Sequence, residues 1–157
     1  MVTERYYSHN RMAIPVIKED IMDDILTRLE SHSVRGERAD QCIIWTGAKA
    51  GHSGYGNMRN PIRIVFPDQP LFVRVHRLAY ALYHDMYTHE IPLTNVLNEK
   101  LDVSHLCHNK LCIHIDHLIL ETHTSNMSRE TCTLLGHFTR DHLVDKYCVF
   151  KGAQTIA

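Results

Sequence analysis

The sequence lacks any apolar run near the roughly 18 residues that a membrane-spanning helix needs. Its first residues also lack the continuous apolar segment of a secretory signal, which predicts an intracellular protein of the cytoplasm or nucleus. With 44% hydrophobic and 22% charged residues, the chain does not have the composition of a disordered protein. Its 157 residues suffice for one domain with a modest core.

The chain has no overall excess of basic charge either, since its formal net charge is −1. A global electrostatic attraction to nucleic acid is therefore excluded. Residues 52–77 differ from the rest, because four arginines stand there against one acidic residue: Arg59, Arg63, Arg74 and Arg77 against Asp68. Any phosphate-binding surface should be local and built on arginine.

Histidine and cysteine are unusually informative in this sequence. It contains 13 histidines and an odd number of cysteines, five. An odd number of cysteines in a chain without an export signal argues against a disulfide framework. The two residue types together indicate metal binding.

The periodicity of apolar residues predicts an α+β domain preceded by a helical arm. Residues 1–15 show no period and are expected to form a loose arm, whereas an amphipathic helix is expected from Pro15 to about His32. Short strands are expected at 41–48, 62–66, 101–107 and 117–121. Helices are expected from Val75 and from Asn126, the latter capped by Thr124 or Ser125. This divides the chain into an arm, 1–40, and a main domain, 41–157.

One cluster of ligand-type side chains has regular spacing. Four residues separate Cys107 from Cys112, and four separate Cys112 from His117. Thiolate and imidazole are the preferred ligands of tetrahedral zinc, and a structural site needs a fourth. Cys42 is the best candidate, because it opens the first predicted strand and the ion would then join that strand to the later loop. The alternative is a set of unrelated buried side chains, since free cysteine often behaves as a small apolar residue.

The remaining cysteines fall in a second cluster near the end of the chain. Its spacing is C-x4-H-x4-H-x5-C, formed by Cys132, His137, His142 and Cys148. A second structural zinc would account for every cysteine of the chain. The alternative is a group of unrelated histidines with two free thiols.

The motif Ser-His-Leu-Cys-His-Asn at 104–109, followed by Cys112 and His117, resembles the His-Cys box homing endonucleases. Trp-Thr-Gly, Gly-Tyr-Gly and Val-His-Arg precede it as in that family, and Asn126 follows. The resemblance covers about residues 41–148. It implies a zinc-stapled ββα-metal core, also known as the His-Me finger and related to HNH nucleases, with short antiparallel strands.

The resemblance also implies roles for individual residues. His105 would be the general base that takes a proton from the attacking water. Asn126 would bind a catalytic Mg²⁺ through its side-chain oxygen. Arg59 would hold the scissile phosphate with its guanidinium, and Arg63 is the alternative.

The sequence thus predicts a Mg²⁺-dependent endonuclease that hydrolyses phosphodiester bonds of double-stranded DNA and carries two structural Zn²⁺ ions. The resemblance implies a homodimer, and no membrane partner or small-molecule cofactor is expected. The alternative is a catalytically inactive zinc-stapled DNA-binding module, which needs neither His105 nor Asn126. A Cys–His hydrolase is less economical, because zinc already accounts for every cysteine. A zinc deaminase is disfavoured, because H-x-E and P-C-x-x-C are absent.

Overall fold

A computed structural model describes residues 4–38 and 41–134. Three α-helices and six short strands make up its regular structure, joined by 3₁₀ turns. In chain order they are α1 (Glu4–Ser31), β1 (Ser33–Arg35), β2 (Ile43–Trp45), β3 (Asn57–Arg59), β4 (Phe72–Arg74), α2 (Val75–Tyr83), β5 (Leu101–His105), β6 (Leu118–Thr122) and α3 (His123–Leu134). None of the described helices is both long and apolar enough to cross a membrane.

The strands form three separate antiparallel pairs rather than one sheet. β1 pairs with β2, β3 with β4 and β5 with β6. The longest pair aligns Leu101 with Thr122 at one end and His105 with Leu118 at the other. Helix α3 follows directly, so β5, β6 and α3 form a continuous ββα unit. The expected α+β class with short antiparallel strands is confirmed.

Helix α1 is longer than the periodicity predicted. It begins at Glu4 and continues through Pro15, so the expectation of a loose arm over residues 1–15 is wrong for residues 4–15. Residues 4–13 contain no glycine and no β-branched residue, and nothing there interrupts a helix. A proline inside a helix removes one backbone hydrogen bond, which this helix tolerates. The predicted apolar face is confirmed where side chains are described, since Ile21, Ile25 and Leu29 are buried in the core.

The strand expected at 62–66 is also wrong. Residues Pro61–Ile64 form a 3₁₀ turn instead, and the strand that pairs with β3 is β4, further along the chain. The side chain of Asn60 accepts a hydrogen bond from the backbone N–H of Ile62, which caps the turn. Pro61 follows the cap and cannot donate to a strand ladder. Cap and proline together outweigh the β propensity of the isoleucines and valine.

The single tryptophan organises the core around the loop before β3. The side chain of Trp45 is 4% exposed, and its indole N–H donates to the carbonyl of Ala48 at 2.9 Å. Gly47 and Gly56 lie directly against the indole, where an added Cβ would come within 2.4 and 2.7 Å of it. Glycine is therefore required at both positions, because the backbone there lies too close to the indole for a Cβ. At Gly56 the backbone also lies against Val75 of α2.

Helix α3 begins three residues earlier than expected. Its cap is Thr122, whose hydroxyl accepts from the backbone N–H of Ser125 at 3.2 Å, so the expectation of Thr124 or Ser125 as the cap is wrong. The competing signal is the threonine at the end of β6, which can both close the strand and cap the helix. As a result Asn126 lies one turn inside α3 and faces β5.

Candidate functional site

Four ligand-type side chains converge where β2 meets the loop after β5. The Sγ atoms of Cys42, Cys107 and Cys112 and a ring nitrogen of His117 all lie within 4.8 Å of one another. The Sγ atoms of Cys42 and Cys112 lie 3.5 and 3.4 Å from Nδ1 of His117. The sequence-predicted group is thus brought together, including the distant Cys42.

The chemistry and dimensions of this group fit zinc. With Zn–S near 2.3 Å and Zn–N near 2.0–2.1 Å, a tetrahedral ion holds sulfur and nitrogen about 3.5 Å apart. The two S···N distances agree with that edge. The Cys₃His group could therefore hold one zinc ion with Nδ1 as the histidine ligand.

Backbone hydrogen bonds hold the ligands in place independently of any ion. Trp45 N–H donates to the carbonyl of Leu111, and Ile113 N–H donates to the carbonyl of Ile43, both at 2.8 Å. These bonds attach β2 to the loop that carries Cys112, and an ion would join the same two segments through side chains. The predicted stapling of the first strand to the later loop matches this geometry.

The three thiols share hydrogen bonds that favour ionisation of one of them, Cys107, and oppose ionisation of the other two. A hydrogen bond with Cys112 lowers the pKa of Cys107 to about 6. Burial and the neighbouring Cys107 raise the pKa of Cys42 to about 11, and the hydrogen bond with Cys107 together with burial raises that of Cys112 as well. Three adjacent thiolates need a compensating cation, which a divalent ion supplies.

His105 ends strand β5 and is buried beside the cysteine group. Its Nε2 lies 3.0 Å from the carbonyl oxygen of Cys112, which can only accept. Nε2 therefore carries the proton, and Nδ1 is left with a lone pair. Burial lowers the pKa of this histidine to about 4, although the bond to Cys112 opposes the shift. The ring is thus a neutral base with a fixed tautomer.

His105 and Asn126 line the same small cavity, of about 50 Å³. Its wall consists of side chains from β5, α3 and two loops: Tyr55, Val103, Ser104, His105, His108, Lys110 and Asn126. None of these lining residues is acidic. A histidine base, an asparagine and one permanent cation, Lys110, therefore line one cavity of the ββα unit.

The amide of Asn126 is anchored on the side of strand β5. Its Nδ2 donates to Oδ2 of Asp102 at 3.4 Å, and the same oxygen accepts from Nδ1 of His123 at 2.6 Å. Partial burial opposes ionisation of Asp102, but these hydrogen bonds and nearby Lys100 outweigh it and keep the pKa of the carboxyl below its usual value. Because Nδ2 is engaged with Asp102, the side-chain oxygen of Asn126 is the atom that could bind a cation, and Mg²⁺ prefers oxygen ligands.

Two cations lie close to the ring of Tyr55, which lines the cavity. Nζ of Lys110 lies 5.2 Å and the guanidinium of Arg74 lies 5.7 Å from the ring centroid. The same ring packs against His105 at 5.9 Å between centroids. Tyr55 thus holds positive charge close to the base, an arrangement suited to a phosphate.

The two arginines proposed from the sequence lie elsewhere on this surface. Arg59 is exposed on β3, opposite Phe72, and does not line the cavity. Along β3 it shares a face with Asn57, which is paired with Arg74. Arg63 donates to the carbonyl of Gln69 inside the 62–70 turn. The permanently charged cation that lines the cavity is Lys110, and no motif in the sequence pointed to it.

Other residues near the site were also missed or left without a role. His76 is buried, its ring centroid lies 4.7 Å from that of His105, and its ring bonds to the backbone of Val103. Asp102 was missed because its partners lie 21 and 24 residues away in the chain. The sequence pointed to Asp102 only through the alternation of side chains along β5, which places Asp102 and Ser104 on one face of the strand.

The second proposed zinc cluster cannot be placed in the same way. The side chain of Cys132, together with His137, His142 and Cys148, lies outside the described residues.

Comparison with known proteins gives one match. A family model described as the zinc-binding loop region of homing endonuclease matches residues 41–151. This range contains the four side chains of the Cys₃His group, His105 and Asn126. No curated protein and no solved structure matches the chain significantly.

Proposed function

Because the chain belongs to the His-Cys box homing endonuclease family, we propose that it is a Mg²⁺-dependent endonuclease that hydrolyses phosphodiester bonds of double-stranded DNA. Homing endonucleases act on DNA, and membership of the family indicates a nuclease. The proposal depends on one observation above all. His105, with Nδ1 unprotonated, lines the same cavity as Asn126.

In this mechanism His105 accepts the proton of the attacking water at Nδ1. The bond from Nε2 to the carbonyl of Cys112 holds the ring in the required tautomer and orientation. Asn126 would hold the catalytic ion through its side-chain oxygen. When bound, Mg²⁺ supplies a positive charge that stabilises the scissile phosphate and its leaving oxygen.

The phosphate itself needs positively charged side chains of the protein. We propose that Arg59 or, as the alternative, Arg63 contacts the DNA backbone, with Arg59 on the exposed face of β3. Lys110 would contact the scissile phosphate, because it is the cation that lines the cavity with His105. Phosphate contacts of this kind fix the position of a duplex without reading its sequence.

Zinc would have a structural role in this protein. One ion would bind Cys42, Cys107, Cys112 and His117, whose S···N distances support tetrahedral coordination. We propose a second ion at Cys132, His137, His142 and Cys148 on the basis of their spacing. The site then depends on zinc indirectly, since Cys112 both belongs to the first group and orients His105.

A DNA-binding module without catalysis remains the second candidate. It would use the same zinc group and the cations around Tyr55, but it would not require a base with an unprotonated nitrogen. The presence of His105 and Asn126 in one cavity favours the nuclease, because the binding module needs neither residue.

Conversion of supercoiled plasmid to nicked and linear DNA tests the proposal. We expect cleavage by the zinc-loaded protein with Mg²⁺ and none with excess chelator of Mg²⁺. The same preparation of His105→Ala should bind the plasmid in a gel-shift assay without cutting it. Binding without cleavage by the parent protein, over a range of sites and of Mg²⁺ concentrations, would favour the binding module.

A further inference from the structure

Three side chains from two elements meet beside the cavity, and one of them, Asn126, also lines it. Asp102 projects from β5, and His123 and Asn126 project from the first turn of α3. One oxygen of Asp102, Oδ2, accepts from Nδ1 of His123 at 2.6 Å and from Nδ2 of Asn126 at 3.4 Å. Its other oxygen, Oδ1, lies 3.5 Å from Nζ of Lys100. Both oxygens of the carboxylate therefore have donors or a cation of the protein as partners.

The chemistry of a side-chain amide makes this contact significant for Asn126. The amide presents an oxygen acceptor at one end and an NH₂ donor at the other, and rotation about its last bond exchanges them at low cost. Only the oxygen can ligate a cation. An ionised carboxylate can only accept, so it pairs with the NH₂ end and disfavours the exchanged orientation.

We propose that Asp102 is a positioning residue, which orients the amide of Asn126 so that its oxygen, and not its NH₂ group, is presented to the catalytic cation. This proposal rests on the proposed function, because it assigns a role relative to the ion that Asn126 would hold. His123 takes part by holding Oδ2 from the other side, which restrains the carboxylate against rotation.

The contact does not make Asp102 a ligand itself. Asp102 is not among the residues that line the cavity, and its Oδ2 is held by His123 at 2.6 Å, so its place is behind Asn126. Side chains that orient a metal ligand typically account for 10- to 100-fold in metal affinity. We expect a loss of that size when the carboxylate is removed.

Nuclear magnetic resonance of the side-chain amides provides a test that does not require cleavage. The NH₂ signal of Asn126 can be assigned by its absence from the spectrum of Asn126→Ala. In zinc-loaded parent protein we expect this signal to show hydrogen bonding, with slowed rotation and exchange. Asp102→Ala should remove that signature, whereas Asp102→Asn, which keeps an acceptor oxygen, should retain part of it.

Mn²⁺ binding, measured by electron paramagnetic resonance, supplies the second readout. Asp102→Ala should bind Mn²⁺ about 10- to 100-fold more weakly than the parent, and Asp102→Asn should fall between them. Glu99→Gln is the matched control, because it removes an exposed carboxylate from the turn before β5 and should change neither readout. Zinc content should be equal in all four proteins, which shows that each is folded.

The outcomes separate this proposal from the proposed function. If Asn126→Ala binds Mn²⁺ as tightly as the parent, Asn126 is not the ligand, and the proposed function and the role of Asp102 both fail. If Asn126→Ala weakens binding but Asp102→Ala leaves both the amide signal and the Mn²⁺ affinity unchanged, only the positioning role is overturned.

Discussion

His105 and Cys112 are joined by a hydrogen bond of 3.0 Å, from the imidazole Nε2–H to the backbone carbonyl. Cys112 also contributes its Sγ to the Cys₃His group. One residue therefore connects the proposed general base to the proposed zinc site. The imidazole is oriented by a backbone atom whose position the ion would fix.

Loss of a cysteine ligand should unfold the main domain rather than impair cleavage alone. We expect Cys107→Ser and Cys112→Ser to lose zinc and to expose Trp45, because the binding free energy of a structural zinc, on the order of 10 kcal/mol, contributes directly to folding. Elemental analysis and the fluorescence of Trp45, the single tryptophan, provide the measurements. A parent protein that is folded but free of zinc, after purification without chelator, would contradict this.

The number of zinc ions tests the second cluster separately. We expect two zinc ions per chain in the parent and one in Cys148→Ser. The fluorescence of Trp45 in Cys148→Ser should remain that of a buried tryptophan, since the Cys₃His group is intact. One zinc ion in the parent, unchanged in Cys148→Ser, would rule out the second site and leave the first unaffected.

Removal of the general base should affect the chemical step alone. His105→Ala is expected to cleave about 10²- to 10⁴-fold more slowly in single-turnover experiments, the usual contribution of a positioned base. DNA affinity and zinc content should stay close to those of the parent, because phosphate contacts come from other residues. His84→Ala serves as the matched control, since His84 is exposed at the end of α2. Cleavage by His105→Ala at the parent rate would refute the mechanism.

Substitution of Asn126 should act through the cation. We expect Asn126→Ala to lose most cleavage activity at the Mg²⁺ concentration that half-saturates the parent and to recover part of it at higher Mg²⁺. Asn126→Asp should need less Mg²⁺ than Asn126→Ala, because a carboxylate oxygen can also ligate the ion. Rates measured across a Mg²⁺ titration check this, and a fall in maximal rate with no change in Mg²⁺ requirement would argue against a ligand.

The cation that contacts the scissile phosphate can be identified by comparing variants. Lys110→Met should slow cleavage strongly, because Lys110 lines the cavity with His105, and Lys110→Arg should restore part of the rate. Arg59→Ala should weaken DNA binding and flatten its salt dependence, since Arg59 is exposed on β3. A large loss of single-turnover rate in Arg59→Ala, with Lys110→Met fully active, would reverse the two roles.

Much of this architecture could be predicted from the sequence where a local signal exists. Sequence patterns predicted the strands β2, β5 and β6 and the helix that begins at Val75. Strand β1 gave no signal, because Ser33–Arg35 is short and exposed and forms only by pairing with β2. A 3₁₀ turn forms after Asn60 where a strand was predicted, because the Asn60 side-chain cap and Pro61 favour the turn.

The site shows the same division between local and non-local signals. The spacing of Cys107, Cys112 and His117 was visible along the chain. Cys42 could be added because it opens the first predicted strand, which an ion would join to the later loop. Lys110 and Tyr55 were not selected, since their proximity to His105 depends on a loop that only the folded chain brings there. Local chemistry was therefore predictable, whereas the cations around it were not.

His76 should make the stability of the fold dependent on pH. Burial, with the nearby His105 and arginines, lowers the pKa of this histidine from 6.5 to about 3, and Nδ1 has no hydrogen-bond partner among the described residues. The unfolded chain therefore binds a proton below pH 6.5 that the folded chain does not accept until about pH 3. Its contribution to stability is fully present above pH 6.5 and decreases as the pH falls through this window.

Urea unfolding followed by Trp45 fluorescence between pH 7.5 and 5 measures this dependence. The free energy of unfolding of the parent should fall by up to about 1.4 kcal/mol per pH unit for this group once the pH is well below 6.5. His76→Phe keeps an aromatic ring beside Tyr55 and His105 but cannot be protonated, so its stability should fall less steeply. Zinc content must be measured at each pH, because zinc binding to thiolate and imidazole ligands itself depends on pH. Equal slopes for the two proteins at equal zinc content would show that His76 is not the titrating group.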